Sequence, residues 1–334
     1  MRAFVLSGYG GPECAGLTEV PQPTPRANEL LVRVHAAGLN PVDYKTRAGD
    51  LKIIHRYPLP IVMGNELSGV VEAAGDAVTR FAKGDRVFAR VDKKAMGAFA
   101  DYAVVQEDLA APIPASLDFA SAAAVPLAGL TALQALRDEL RLSAGDRIFI
   151  PGGAGGVGTF AIQLAKHLGG YVATTASSRG EALVKRLGAD VAIDYTRERF
   201  EDKLSGYDCA FDLIGGDTLA RLWPVLKRGG RVVSIAGMPE PVTARKDLEA
   251  GSGLAALFWA ASLTTRWRAA RHGVSYRYLF MHPSGAELAY LGSLIEAKKL
   301  EIVIDRVFPF AEAREAMAYL ETGHAKGKVV LAMA

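Results

Sequence analysis

Cysteine is nearly missing from this chain: its 334 residues hold two, Cys14 and Cys209. Two thiols build neither a disulfide framework nor a four-cysteine zinc site. A charge excess is missing as well. The 39 basic and 36 acidic residues leave a formal net charge of +3, which does not point to nucleic acid as the main partner. No apolar run is long enough to cross a bilayer. The most apolar stretch, residues 253–263, falls well short of the roughly 20 residues a spanning helix needs, and it reads as a buried or interface helix. Met1-Arg2-Ala3-Phe4 lacks the long apolar region of a secretory signal, so the expected compartment is the cytoplasm. There is no internal repeat and no low-complexity segment. What remains is an ordinary globular composition and a length that accommodates two domains of usual size.

The chain is organised around Ile148-Phe149-Ile150-Pro151-Gly152-Gly153-Ala154-Gly155-Gly156-Val157-Gly158. An apolar strand runs into a glycine-rich turn, and Phe160, Ile162, Leu164, Ala165 and Leu168 then recur at helical spacing. Gly153, Gly155 and Gly158 match the G-x-G-x-x-G dinucleotide fingerprint in its proper strand–turn–helix context. The first glycine is expected to permit a tight turn, the second to admit a pyrophosphate, and the third to let the helix pack closely. The helix start, with Gly156 and Val157, offers unpaired N–H groups and a positive dipole end to phosphate.

Residues 1–121 read as β-rich. Segments 30–34, 69–73, 86–89 and 102–105 have strand character, with turn signals at 21–25, 75–76 and 83–85 between them. Many short strands with few helices suggest a barrel-like domain. From residue 122 helix and strand alternate: a helix over 122–136, strands at 148–151, 171–175, 191–193, 209–212 and 231–235, a possible sixth at 277–281, and a helix over 285–297. That alternation implies a parallel sheet covered on both faces. The tail from about 298 returns to strands at 303–307 and 328–331 around a helix at 311–320. The expectation is a first domain of residues 1–121 and 298–334, with a nucleotide domain of residues 122–297 inserted into it and a cleft between the two.

The end of the second nucleotide-domain strand bears on the cofactor. An NAD site usually carries an acid there for the ribose 2′-hydroxyl. This chain has Ala176-Ser177-Ser178-Arg179 instead. Two hydroxyls and a guanidinium suit a 2′-phosphate, which favours NADPH, with a solvated Arg179 as the alternative.

Together these residues resemble the zinc-independent medium-chain dehydrogenase/reductases of the quinone oxidoreductase type. The resemblance is carried by Gly38-Leu39-Asn40-Pro41-Val42-Asp43-Tyr44-Lys45, Gly64-Asn65-Glu66, Ala128-Gly129-Leu130-Thr131-Ala132, the glycine loop, Leu187-Gly188-Ala189-Asp190 with Asp194-Tyr195, and Gly327-Lys328-Val329-Val330. The N-x-V-D-x-K form at Asn40 to Lys45 is most similar to the branch with plant enone and alkenal reductases. The resemblance implies an α/β protein, a GroES-like β-barrel-type catalytic domain with an inserted Rossmann doubly wound parallel-sheet domain, and a homodimer. Zinc-dependent members carry a cysteine near Asn40 and a histidine at Asn65. With neither present, and with no cysteine between Cys14 and Cys209 for the structural lobe, zinc Lewis-acid chemistry is not expected.

By the same resemblance Asn40, Lys45 and Thr131 lie near the nicotinamide. Ser177, Ser178 and Tyr195 surround the adenosine end, and Ile214, Gly215, Gly237, Phe280, Met281, Gly327 and Lys328 line the rest of the cofactor. Alternatives stand beside several of these: a turn-forming Asn40, a solvated Lys45, a packed core Tyr195, and an Asp43 that serves only the local turn. The expected chemistry is hydride delivery from NADPH to a quinone or an α,β-unsaturated carbonyl. Lys45, the Asn40 amide and the Tyr44 hydroxyl are the candidates for stabilising charge on the acceptor oxygen. Segments 48–60, with Ile53, Ile54 and Tyr57, and 250–271, with Phe258, Trp259 and Trp267, are expected to rim the acceptor site, or in the second case to pack internally or against another subunit. The rival from another class is an NADPH-binding redox sensor or structural protein with little turnover.

Overall fold

The computed structural model describes Met1–Met333, which divide into two compact units, Met1–Leu130 with Pro283–Met333 and Thr131–His282. In the first unit a seven-stranded sheet is built around the strand Glu29–Leu39. One face of that strand supplies Leu30, Val32 and Val34 to a core shared with Leu67, Val71, Val87 and Val105. Its antiparallel neighbours are Glu66–Ala74, Tyr102–Gln106 and, from the end of the chain, Lys328–Ala332. The tail thus closes on the first unit, as the sequence leads one to expect. A three-stranded sheet of Ala15–Glu19, Arg2–Leu6 and Ile61–Val62 completes the β structure.

Register brings chemistry to one end of this sheet. Gly38 pairs with Glu66, and Val329 pairs with Leu39. The end of the central strand is therefore flanked by the first residues of both neighbours, Glu66 and Lys328. Asn40 follows directly and caps the helix Pro41–Ala48. Gly38 is required here, since a Cβ at that position would lie 2.3 Å from Glu66 Oε1 and 2.6 Å from the Ala123 carbonyl.

The second unit holds a six-stranded parallel sheet. Its order is Val191–Asp194, Tyr171–Ala176, Arg147–Ile150, Tyr207–Asp212, Leu226–Ser234, Ser275–Tyr278. Counted along the chain this is third, second, first, fourth, fifth, sixth, the doubly wound dinucleotide order. The order reverses between Arg147–Ile150 and Tyr207–Asp212, so the glycine loop leaves the sheet at the switch point where such folds bind ligands.

Several boundaries differ from those expected. The units divide at 130/131 and 282/283, against the expected 121/122 and 297/298. The helix Gly285–Glu296 is fastened to the first unit, where a Cβ on Gly285 would lie 2.3 Å from the Ala110 carbonyl. In place of one helix over 122–136 there are Phe119–Ala123, Pro126–Leu133 and a wider π-type turn, Gln134–Glu139. Pro126 has no N–H to continue the first helix and starts the second. The sixth strand stops at Tyr278, because the Phe280 N–H is taken by Asp247 Oδ2 at 2.9 Å.

Candidate functional site

The first unit contributes a buried polar group made of Asn40, Asp43, Asn65, Glu66 and Lys328, each no more than 3% exposed. Glu66 Oε1 accepts from Asn40 Nδ2 at 2.6 Å and from Lys328 Nζ at 2.7 Å. Glu66 Oε2 accepts from the Leu127 N–H at 2.6 Å, at the start of the helix Pro126–Leu133, where the helix dipole favours an anion. Lys328 Nζ also donates to Asn40 Oδ1 and, at 3.1 Å, to the Leu39 carbonyl. Both ends of the Asn40 amide are thereby fixed. On the far side Asp43 Oδ2 accepts from the Asn40 N–H and Oδ1 from Asn65 Nδ2, each at 2.7 Å. Burial pushes the Asp43 carboxyl up to about 7 against those hydrogen bonds. Asn65 Oδ1 is buried with no hydrogen-bond partner among the described residues.

This donor set does not fit a divalent metal. An ammonium already lies between Glu66 and Asn40, and Asn65 presents its NH2 group to Asp43. His35, the histidine nearest in sequence, stacks on Phe119 at 4.1 Å and is structural.

Lys45 and Tyr44 share the helix Pro41–Ala48 with this group but are not bound into it. The Lys45 side chain is half-buried, and among the described residues its amine makes no hydrogen bond or ion pair. Tyr44 packs against the barrel core; burial, with Glu321 and Asp50, raises its hydroxyl pKa. Its charged neighbours are thus not those of the Asn40 group. Tyr57, expected at the rim of the acceptor site, is buried and donates to the Lys93 carbonyl at 2.6 Å, whereas Ile53 is exposed.

In the second unit the glycine loop differs in one respect from expectation. The tight turn belongs to Gly152, at φ +81°, and not to Gly153. Gly153 is needed for another reason, because a Cβ there would meet Thr174 Oγ1 at 2.1 Å. Gly158 packs the helix Gly156–His167 onto the turn, where a Cβ would lie 2.4 Å from the Gly152 carbonyl. At Gly155 a Cβ would meet only the Gly152 carbonyl, at 3.4 Å, so that side of the loop is open. Gly155 caps the helix without a side-chain acceptor, so no capping side chain serves the first-turn amides, those of Gly156 and Val157 among them. This cradle fits a pyrophosphate.

Across the switch point Asp212, missed by the sequence reasoning, organises two further turns. Its Oδ1 accepts from the N–H groups of Ile214 (3.1 Å) and Gly215 (2.9 Å), and its Oδ2 accepts from Ser234 Oγ (2.7 Å). Ser234 Oγ in turn accepts from the Gly237 N–H at 2.7 Å. Gly215, at φ +75°, and Gly237 are both crowded positions, and Ile214 leans on Gly152 while remaining over half exposed. The signal was present in the sequence, since both polar residues end apolar strands.

At the edge of the sheet Ser178 Oγ donates to Asp194 Oδ2, so an acid reaches the end of the second strand from the third. Ser177 is half-buried and Arg179 exposed. Tyr195 is 60% exposed, which removes the core alternative. Thr131 is buried in the helix Pro126–Leu133, Phe280 is half-buried and Met281 buried beyond the last strand, and Gly327 makes the φ +98° turn before Lys328. Lys328, expected to line the cofactor, spends its amine on Glu66 and Asn40.

This pairing of a β unit with a dinucleotide-type unit defines a two-domain dehydrogenase/reductase, and comparison with known proteins agrees. Residues 26–115 match the alcohol dehydrogenase GroES-like domain, and residues 187–331 match a model described as zinc-binding dehydrogenase. The chain is 39% identical over 343 residues to the chloroplastic NADPH-dependent alkenal/one oxidoreductase of Arabidopsis thaliana, covering 99% of this chain and 79% of that protein. Among solved structures, the quinone oxidoreductase of Coxiella burnetii superposes with a TM-score of 0.87 at 35% identity, covering 100% of this chain and 99% of that one. The Escherichia coli quinone oxidoreductase complexed with NADPH gives 0.83 at 26% identity, with both chains fully covered. The chain belongs to the medium-chain dehydrogenase/reductase family, in its quinone oxidoreductase and alkenal reductase branch.

Proposed function

We propose that this protein is a zinc-independent, NADPH-dependent reductase of quinones or α,β-unsaturated carbonyls. NADPH, when bound, supplies the hydride. The residues that would hold it are Gly153, Gly155, Gly156, Val157 and Gly158 at the pyrophosphate, and Ser177, Ser178, Arg179 and Tyr195 at the adenosine end. Thr131, Ile214, Gly215, Gly237, Phe280, Met281 and Gly327 complete the set. Support comes from the open loop at Gly155 and from the names of the relatives, one NADPH-dependent and one complexed with NADPH.

The observation that carries the proposal is the contrast between two lysines. Lys328 is bound into the Asn40–Glu66 group, whereas the half-buried Lys45 amine has no partner among the described residues. Lys45 is therefore the cation free to stabilise negative charge developing on an acceptor oxygen, with Asn40 held in fixed orientation beside it on the chain. Tyr44 is the weaker candidate, since its hydroxyl has other neighbours. Lys45→Ala is expected to lower kcat about a hundredfold, the scale of losing one oxyanion donor, with little change in NADPH affinity. Steady-state kinetics with a fluorescence titration of NADPH tests this, and unchanged turnover would remove Lys45 from the chemistry. The proposal includes a cytoplasmic homodimer, for which the free outer edge of Ser275–Tyr278 offers a pairing surface.

A further inference from the structure

Residues 250–286 contain no aspartate or glutamate, although the chain carries 36 acids in 334 residues. The gap is bounded by Glu249 and Glu287. Two helices fill its first half, Ser252–Ala261 and Leu263–Arg271. Hydrogen bonding continues across the joint, with the Ser262 N–H on the Phe258 carbonyl and the Arg266 N–H on the Ser262 carbonyl, each at 2.9 Å. Ala255, Phe258, Ser262 and Ala269 turn inward and are buried.

The outer side is apolar. Trp259, Leu263 and Trp267 are spaced four apart, which puts them on one face, and with Leu257 they are 45–55% exposed. Ala256, Ala260 and Ala270 are exposed around them. Cations border this face. The Arg266 guanidinium lies 5.8 Å from the Trp259 ring centroid and that of Arg271 4.8 Å from the Trp267 centroid, and Arg268 is exposed. Among the described residues none of the three pairs with a carboxylate. Arg277, by contrast, is bound to Glu139, Glu240 and Asp247 and adds nothing to the surface.

An exposed apolar face of this extent calls for a partner. A second copy docked face to face would bring unpaired arginines against one another, which electrostatic complementarity opposes. An anionic bilayer meets both features: tryptophan rings settle at the headgroup level, and arginine bonds phosphate in bidentate fashion. No described helix is long and apolar enough to cross a membrane, so the geometry is that of a helix pair lying in the interface. We infer that Ser252–Ala261 and Leu263–Arg271 seat this protein on an anionic lipid surface, with Trp259, Leu263 and Trp267 entering the acyl boundary and Arg266, Arg268 and Arg271 at the phosphates. This does not depend on the proposed reaction.

Co-sedimentation of the full chain with vesicles of phosphatidylcholine plus phosphatidylserine, and with phosphatidylcholine alone, tests the inference. Binding is expected to the mixed vesicles, weaker at high salt, with little to the neutral ones. Arg266→Gln, Arg268→Gln and Arg271→Gln are each expected to weaken it about fivefold, and about a hundredfold in combination. Trp267→Ala is expected to weaken it with the thermal midpoint kept, and it serves as the second probe if the triple variant fails to fold. No preference for anionic vesicles, or undiminished binding by the variants, overturns the inference. So does a Trp267→Glu variant that turns an oligomer into a monomer when the parent ignores vesicles, which would assign the face to a second copy.

Discussion

Asp43 is fully buried, and its two hydrogen bonds come from neighbours that cannot themselves ionise. Its carboxyl is raised from 3.8 to about 7 by burial, so between those values the folded protein holds a proton that the unfolded chain releases. The stability contributed by this group is therefore present at acid pH and is lost as pH rises from 3.8 to about 7. Urea unfolding at about pH 5 and about pH 8 is expected to show that loss in the parent and to show less of it in Asp43→Asn. An equal slope in the two proteins would place the carboxyl in a more solvated site. Glu66 differs in its partners, accepting from three donors that include the Lys328 ammonium. A buried pair of this kind fixes geometry more than it adds stability, which suits a group that orients Asn40. The sequence marked Asn40 and Asn65 as places where metal ligands were missing, with Glu66 left beside them. It could not show that Lys328, 262 positions from Glu66, supplies the replacing charge, because that pairing depends on the register of a strand returning from the end of the chain.

The glycine loop shows what an element needs beyond its motif. The spacing of Gly153, Gly155 and Gly158 was legible, and so was the strand–turn–helix order. The residue that turns the chain, Gly152, lies just outside the pattern because positive φ is a property of the backbone path and not of spacing. The three motif glycines also differ in kind. A Cβ on Gly158 would meet backbone atoms at 2.4 to 2.8 Å, whereas one on Gly155 would meet a single carbonyl at 3.4 Å. Gly158→Ala is expected to disturb the turn itself and lower the thermal midpoint. Gly155→Ala is expected to fold with a near-parental midpoint while NADPH binding weakens, since the added methyl occupies the phosphate side. Thermal melts with and without NADPH separate the two, and equal loss of midpoint in both would contradict the open face at Gly155. The element least legible in the sequence was the helix expected over 122–136, where Pro126 divides the segment and gives Leu127 an N–H for Glu66.

At the scale of the molecule, alternation of helix and strand foretold the parallel sheet, and the dense short strands foretold the first unit. The unit boundaries were harder to read. Gly285–Glu296 has the pattern of another sheet-covering helix, and its close seat against the Asp108 and Ala110 carbonyls and Pro114 assigns it to the first unit. The choice of cofactor also rests on more than one element. Ser177-Ser178-Arg179 contains no acid, yet Asp194 of the adjacent strand accepts from Ser178. NADPH specificity thus requires that Arg179 and Ser177 outweigh that carboxylate at the 2′-position. The measurement that tests the central claim most directly is the initial rate of reduced-nicotinamide oxidation by the full chain after treatment with a chelator, across quinones and enones, with NADPH and NADH in parallel. The account predicts turnover that survives the chelator and an efficiency with NADPH at least about tenfold that with NADH. Loss of activity on chelation, equal use of NADH, or NADPH binding without oxidation by any acceptor would contradict it.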